Sequence, residues 1–313
     1  MSPAEGEWIL SYGANKIHPG SKFTFGTVKS GYYLLEPVDI AYGDTDAGDV
    51  PMPRQDGIRL GLDYRPGATI TFEIGVDAVG QATTRLGRHG AVLDRVSALA
   101  QAWDAEAVRS RVGTPAMLST TQGGRSRVFF GRPRKFAPAA SRLTRQGFTP
   151  VVASFASVDG IAYDDVEQTA RVDFVPPPQR GLVGPLTTPL TMTGKGSSRV
   201  PGEILLRGTR PTWPVFTIRG PISQPVIDIL GRWKLGLDLS LAAGESVTID
   251  PRPWARTVLR SGGGSVAGAI YRGAPLMPQM RLPPGRLDIF LRGVDATSTA
   301  SMTVAWRDAY AYL

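Results

Sequence analysis

The chain has 313 residues, which at roughly 150 residues per domain is enough for two domains with separate cores. It has no cysteine, two histidines (His18 and His89), and 35 Lys+Arg against 27 Asp+Glu for a formal charge of +8. Disulfides, thiol catalysis and cysteine-ligated zinc are thereby excluded.

Both histidines sit in loop-like sequence, so a zinc site is not predicted, and no cofactor is implied. The basic residues are mostly scattered arginines; Arg125, Arg127, Arg132, Arg134 and Lys135 form the one dense group. Nucleic-acid recognition asks for basic residues clustered on a helix or interleaved with exposed aromatics, so no nucleic-acid partner is predicted. No run approaches the roughly 18 apolar residues of a membrane helix, and the opening residues lack a basic region followed by an apolar stretch. Neither a membrane span nor a signal peptide is expected.

In chain order, Trp8 to Tyr12, Phe23 to Gly26 and Tyr32 to Leu35 read as strands, with Pro19-Gly20 and Ser30-Gly31 as turns. Asp44-Thr45-Asp46-Ala47-Gly48-Asp49 has the look of a calcium loop, but glycine and the distal glutamate are missing from the places the motif demands. It is read instead as an Asx-rich turn that continues, from Val50 to Gly57, as an exposed loop and candidate contact arm. Thr69 to Val76 resumes the strand pattern. From Ala91 to Arg109 the period changes: Val92, Val96, Leu99 and Trp103 recur at helical spacing, predicting one amphipathic helix with Trp103 in the buried stripe.

Arg127 to Gly131 reads as a strand that Pro133 must end or leave on an edge. A further strand pair is expected around Gly147 to Phe155, followed by the acidic group Asp159, Asp164, Asp165 and Glu167. Paired carboxylates could serve a glycosidase, but nothing in the spacing sets them across a cleft, and a solvated turn is the simpler reading. Val175 to Pro189 is proline-dense and marks a connector. Thr193-Gly194-Lys195-Gly196-Ser197 fails the phosphate-loop pattern, with Pro189 where the first glycine belongs and Gly196 after the lysine.

From Trp213 to Leu313, short alternating strands (Phe216 to Ile218, Leu235 to Leu239, Val247 to Ile249, Leu287 to Leu291, Met302 to Trp306) are separated by Gly/Pro breaks. This pattern predicts an antiparallel β-sandwich and a mainly β protein. Trp213, Trp233, Trp254 and Tyr271 are candidates for stacking sugars if the sandwich is a carbohydrate-binding module; as core or interface residues they need no ligand.

The order of Arg127 to Phe136 (Arg-Val-Phe-Phe-Gly-Arg-Pro-Arg-Lys-Phe), the Phe148 to Tyr163 block, Pro214 to Pro221, Glu245 to Asp250, Leu282-Pro283-Pro284-Gly285 and Ala305 to Tyr310 resembles siphovirus distal tail proteins, the minor tail proteins of actinobacterial phages. The resemblance implies a ring-forming β-rich domain over residues 1–178, a connector over 179–204 and a galectin-like sandwich over 205–313. It further implies a homo-hexameric ring at the distal end of the virion's tail, joining the tail tube protein to the tail hub, with receptor-binding or other baseplate proteins as further partners and no catalysis. A closed ring needs two different complementary surfaces per subunit. The helix with Arg109, the corner at Arg132, Arg134 and Lys135, and Asp49 and Arg54 in the candidate arm are the expected contact residues.

Overall fold

The computed structural model describes residues 2–174 and 202–313, so most of the expected connector and the Thr193 to Ser197 segment lie outside the described residues. The described chain forms two compact units, Met1–Asp165 with Tyr310–Leu313, and Val166–Ala309.

The first unit is built from β1 (Trp8–Tyr12), β2 (Ser21–Phe25), β3 (Tyr32–Leu34) and β4 (Asp39–Tyr42), then four two-residue strands, β5 (Asp46–Ala47), β6 (Val50–Pro51), β7 (Ile58–Arg59) and β8 (Asp63–Tyr64). There follow β9 (Ala68–Asp77), α1 (Arg85–Asp104), α2 (Glu106–Arg109), β10 (Ala116–Gln122), β11 (Arg125–Pro138), β12 (Phe148–Ser157) and β13 (Ala162–Asp164). Their main sheet runs β2-β1-β10-β11-β12-β9-β3, with β4 also on β9 and β13 on β11. Alternation selects the buried face: in β9, Ile70, Phe72, Ile74 and Val76 are buried while Thr69 and Glu73 are exposed and Thr71 is half-buried.

Helix α1 lays Val92, Leu99, Ala102 and Trp103 against that sheet. Trp103 packs edge-on to Phe25 and Phe72, at 5.8 and 6.1 Å between ring centres, and its indole N–H donates to Ser154 O at 3.1 Å. The helix differs from the predicted Ala91 to Arg109 at both ends. It begins at Arg85 because Thr84 caps it, accepting from Gly87 N–H at 3.1 Å. It stops at Asp104 because Ala105 turns left-handed (φ 45°), leaving Glu106–Arg109 as a separate turn.

The second unit contains β14 (Gln168–Asp173), β15 (Gly202–Leu206), β16 (Val215–Arg219), β17 (Ile222–Ile229), β18 (Trp233–Gly236), β19 (Ser240–Leu241), β20 (Ser246–Asp250), β21 (Thr257–Arg260), β22 (Gly285–Val294) and β23 (Ser301–Trp306). One sheet runs β14-β23-β16-β20-β21 and the other β15-β22-β17-β18 with β19 on β17. Phe216, Ile218, Val247, Met302 and Val304 of the first share one core with Ile227, Ile229, Leu235, Ile289 and Leu291 of the second. The predicted antiparallel sandwich and mainly β class are therefore what the chain forms.

Two sequence expectations are corrected by strand pairing. Residues 168–173, assigned by sequence to the first domain, pair with β23 and belong to the second unit. β11 continues past Gly131 through Pro133, which pairs with Phe155, so only the expected end at Gly131 is corrected and the edge position allowed for Pro133 is the one it takes. Past Gly131 the strand has left β10, so that flank is an edge where a proline's missing donor costs little. β17 escaped prediction for a related reason. Pro225 breaks the pattern, yet it sits where the β17–β22 register shifts between Ser223 and Val226, beside Gln224 at φ 49°.

Candidate functional site

Between β4 and β9 the chain leaves the main sheet as a thin antiparallel ribbon, with Asp46 opposite Tyr64, Ala47 opposite Asp63, Val50 opposite Arg59 and Pro51 opposite Ile58. Gly48 and Gly61 face each other so closely that a Cβ on Gly61 would lie 1.9 Å from the Gly48 carbonyl oxygen, so the ribbon requires glycine there. Asp49 holds the same level, accepting from Gly61 N–H at 2.9 Å. Arg54 lies near the tip in a left-handed conformation (φ 59°).

Every residue from 41 to 66 except Asp49 is exposed. Leu60, Leu62 and Tyr64 are 77, 75 and 65% accessible, and Val50 and Ile58 are exposed as well. A two-stranded ribbon is at best marginally stable alone in water, and a run of exposed large apolar side chains marks a contact surface. The feature read from sequence as a polar loop from Asp44 to Gly57 is thus longer, regular in its pairing, and apolar along its returning strand. Asp49 and Arg54 both belong to it, Asp49 as an internal brace.

The other predicted contact residues fall on different elements. Arg109 pairs with Asp104 at 3.1 Å and Glu106 at 3.7 Å on the exposed turn after α1. Arg132 is not a free corner: it donates to Thr114 O at 3.0 Å through Nε and also to Arg111 O, tying β11 to the loop before β10. Burial, and then the neighbouring Arg134 charge, lower its pKa. Arg134 and Lys135 are exposed on the bulge between Pro133 and Phe136, which is anchored by Lys135 N–H donating to Ser154 Oγ at 3.1 Å. The bulge turns both cations outward.

Asp159, Asp164 and Asp165 of the acidic group have structural partners. Asp159 accepts from Tyr163 Oη at 2.6 Å, Asp164 pairs with Arg127 at 3.6 Å, and Asp165 accepts from Ser2 Oγ at 2.7 Å. Among the described residues no group of three or more His, Asp or Glu is placed to hold a metal ion, and no helix is long and apolar enough to cross a membrane. In the sandwich, Trp213 is buried with the Arg281 guanidinium 5.5 Å from its ring centre, and Trp233 is half-buried edge-on to Phe216. Trp254 is half-buried near Arg252, and Tyr271 sits at the surface against Gly236. The sequence reading missed Arg127 as a buried cation; its stacking partner Tyr310 lies far along the chain, and no local pattern links them.

The chain is similar to the Dit protein of phage SPP1, described as a paradigm of the hub adsorption apparatus in phages infecting Gram-positive bacteria, with a TM-score of 0.55 and 12% identity over 97% of this chain and 98% of that one. It is also similar to a chain of the phage p2 baseplate in its activated conformation with Sr, with a TM-score of 0.50 and 7% identity over 96% and 97%. At these identities the likeness establishes a shared fold. No family model matches the chain, and no curated protein matches it in sequence.

Proposed function

We propose that this protein is a structural component of a phage tail tip, a distal tail protein that assembles into a homo-hexameric ring between the tail tube and the tail hub. The observation that carries the reading is the ribbon between β4 and β9, whose apolar returning strand is exposed, with no cover among the described residues. Burying Leu60, Leu62 and Tyr64 against a second copy would remove that exposure, and a surface that engages a different surface on the next copy closes a ring by rotation. The fold shared with phage hub proteins supports the same reading.

Arg134 and Lys135 on the β11 bulge, and Arg109 beside α1, are proposed as polar contacts at the rim of such interfaces, which is polar and solvent-accessible. The sandwich is proposed as the outward, galectin-like module that carries peripheral host-recognition proteins. The protein has no catalytic role in this reading, and its place is the distal end of the virion's tail. The test is a Leu60→Asp, Leu62→Asp double variant examined for assembly. It is expected to remain a folded monomer and fail to enter tail tips; normal incorporation would overturn the role given to the ribbon.

A further inference from the structure

The first unit is discontinuous: residues 310–313 belong to it although they follow the whole of the second unit in the chain. Tyr310 and Leu313 pack on the first unit's core. The Arg127 guanidinium lies 3.8 Å from the centre of the Tyr310 ring, and Arg127 is only 8% exposed. Arg127 stands in β11 opposite Asp164 of β13, with 3.6 Å between Nη1 and Oδ2, and donates to Ser126 O at 3.0 Å, while its Nε is buried with no hydrogen-bond partner among the described residues. A cation this buried requires compensation. Much of it here is an aromatic face, which attracts a desolvated guanidinium more strongly than an exposed one. One residue on, Ala311 O accepts from Tyr42 Oη at 2.9 Å, and Tyr42 is the final residue of β4, where the ribbon begins.

We propose that residues 310–313 form a brace that completes the first unit and fixes the root of the ribbon. Tyr310 covers Arg127 and so holds β11 against β13, while Ala311 holds Tyr42 and so holds the end of β4. Arg127, Tyr310 and Tyr42 are positioning residues in this account. The first unit reaches its closed form only with a segment that lies beyond the entire sandwich in the chain, so damage to that segment is felt at the ribbon. The consequence for assembly, a ribbon set in one direction for the next copy, rests on the ring reading above; the brace itself does not.

Hydrogen exchange and thermal unfolding of the full chain at a concentration where it is monomeric test the brace apart from the ring. In Tyr310→Ala, amides of β4 and β13 should exchange roughly tenfold faster and the first unit should unfold about 2–6 °C lower, with β16 and β22 of the sandwich unchanged. Tyr310→Phe keeps the ring face and should behave as the parent protein. Tyr42→Phe removes one hydroxyl from an exposed site, leaves the fold intact, and should speed exchange in β4 alone. The proposal is overturned if Tyr310→Ala matches the parent, if Tyr310→Phe is as damaging as Tyr310→Ala, or if Tyr42→Phe leaves β4 unchanged. Should Tyr310→Ala fail to fold, the contrast between Tyr310→Phe and Tyr42→Phe decides the matter alone.

Discussion

At the scale of single residues, Trp103 shows how one side chain joins the helix to the sheet. It is buried, edge-on to two phenylalanines, and hydrogen-bonded to a strand carbonyl. Trp103→Ala removes all three and is expected to cost about 3–5 kcal/mol in urea unfolding of the first unit. Asp295 gives a second residue-level expectation. Burial would raise its pKa, but hydrogen bonds from Ala300 N–H, Thr297 Oγ1 and the Thr297 and Thr299 amides outweigh it and lower the value to about 2. A depressed folded pKa means the carboxylate stabilises the sandwich above its ordinary value of 3.8 and that this contribution is lost as pH falls through about 2. Acid titration should therefore loosen the turn between Asp295 and Ala300 over that window, and Asp295→Asn should remove the dependence. Trp103 was legible in the sequence because its neighbours repeat at helical spacing. Arg127 was not, because its compensation comes from Asp164 and Tyr310, neither of them close to it in the chain.

At the scale of elements, legibility followed the presence of one buried face. β22 and β23 alternate strictly, with Leu287, Ile289 and Leu291 and then Met302, Val304 and Trp306 inward, so their strand character can be read directly. β11 and β17 carry prolines at an edge and at a register shift, where local pattern argues against a strand and the partner's geometry permits one. The ribbon of β5 to β8 is harder still: Ile58, Leu60, Leu62 and Tyr64 do alternate, but the paired segments are only two residues long and both faces are exposed, so no buried face marks them as strands. Its exposed leucines supply the element-scale expectation. Leu60→Asp and Leu62→Asp should change the stability of the isolated chain by no more than about 0.5 kcal/mol each, because neither side chain is buried, while abolishing assembly. A large loss of stability in the monomer would mean that the ribbon packs on its own chain instead.

At the scale of the whole molecule, composition and alternation were enough to give two β-rich units without cysteine, but not the way the chain divides between them. Residues 168–173 and 310–313 each pair or pack with the unit that sequence adjacency would not assign, because strand partners are chosen by edge geometry and core contact. The proposed role belongs to the same scale: exposed apolar side chains on the ribbon, in a chain whose fold is shared with a phage hub protein, are proposed to be covered by another copy. The most direct measurement is a count of copies at the tail tip, by mass photometry of the assembled complex together with a label on Leu313. The account predicts six copies at one level of the tip, none of which is incorporated when Leu60 and Leu62 are both aspartate. A single copy per tip, with a strict monomer in solution at every concentration, would contradict it.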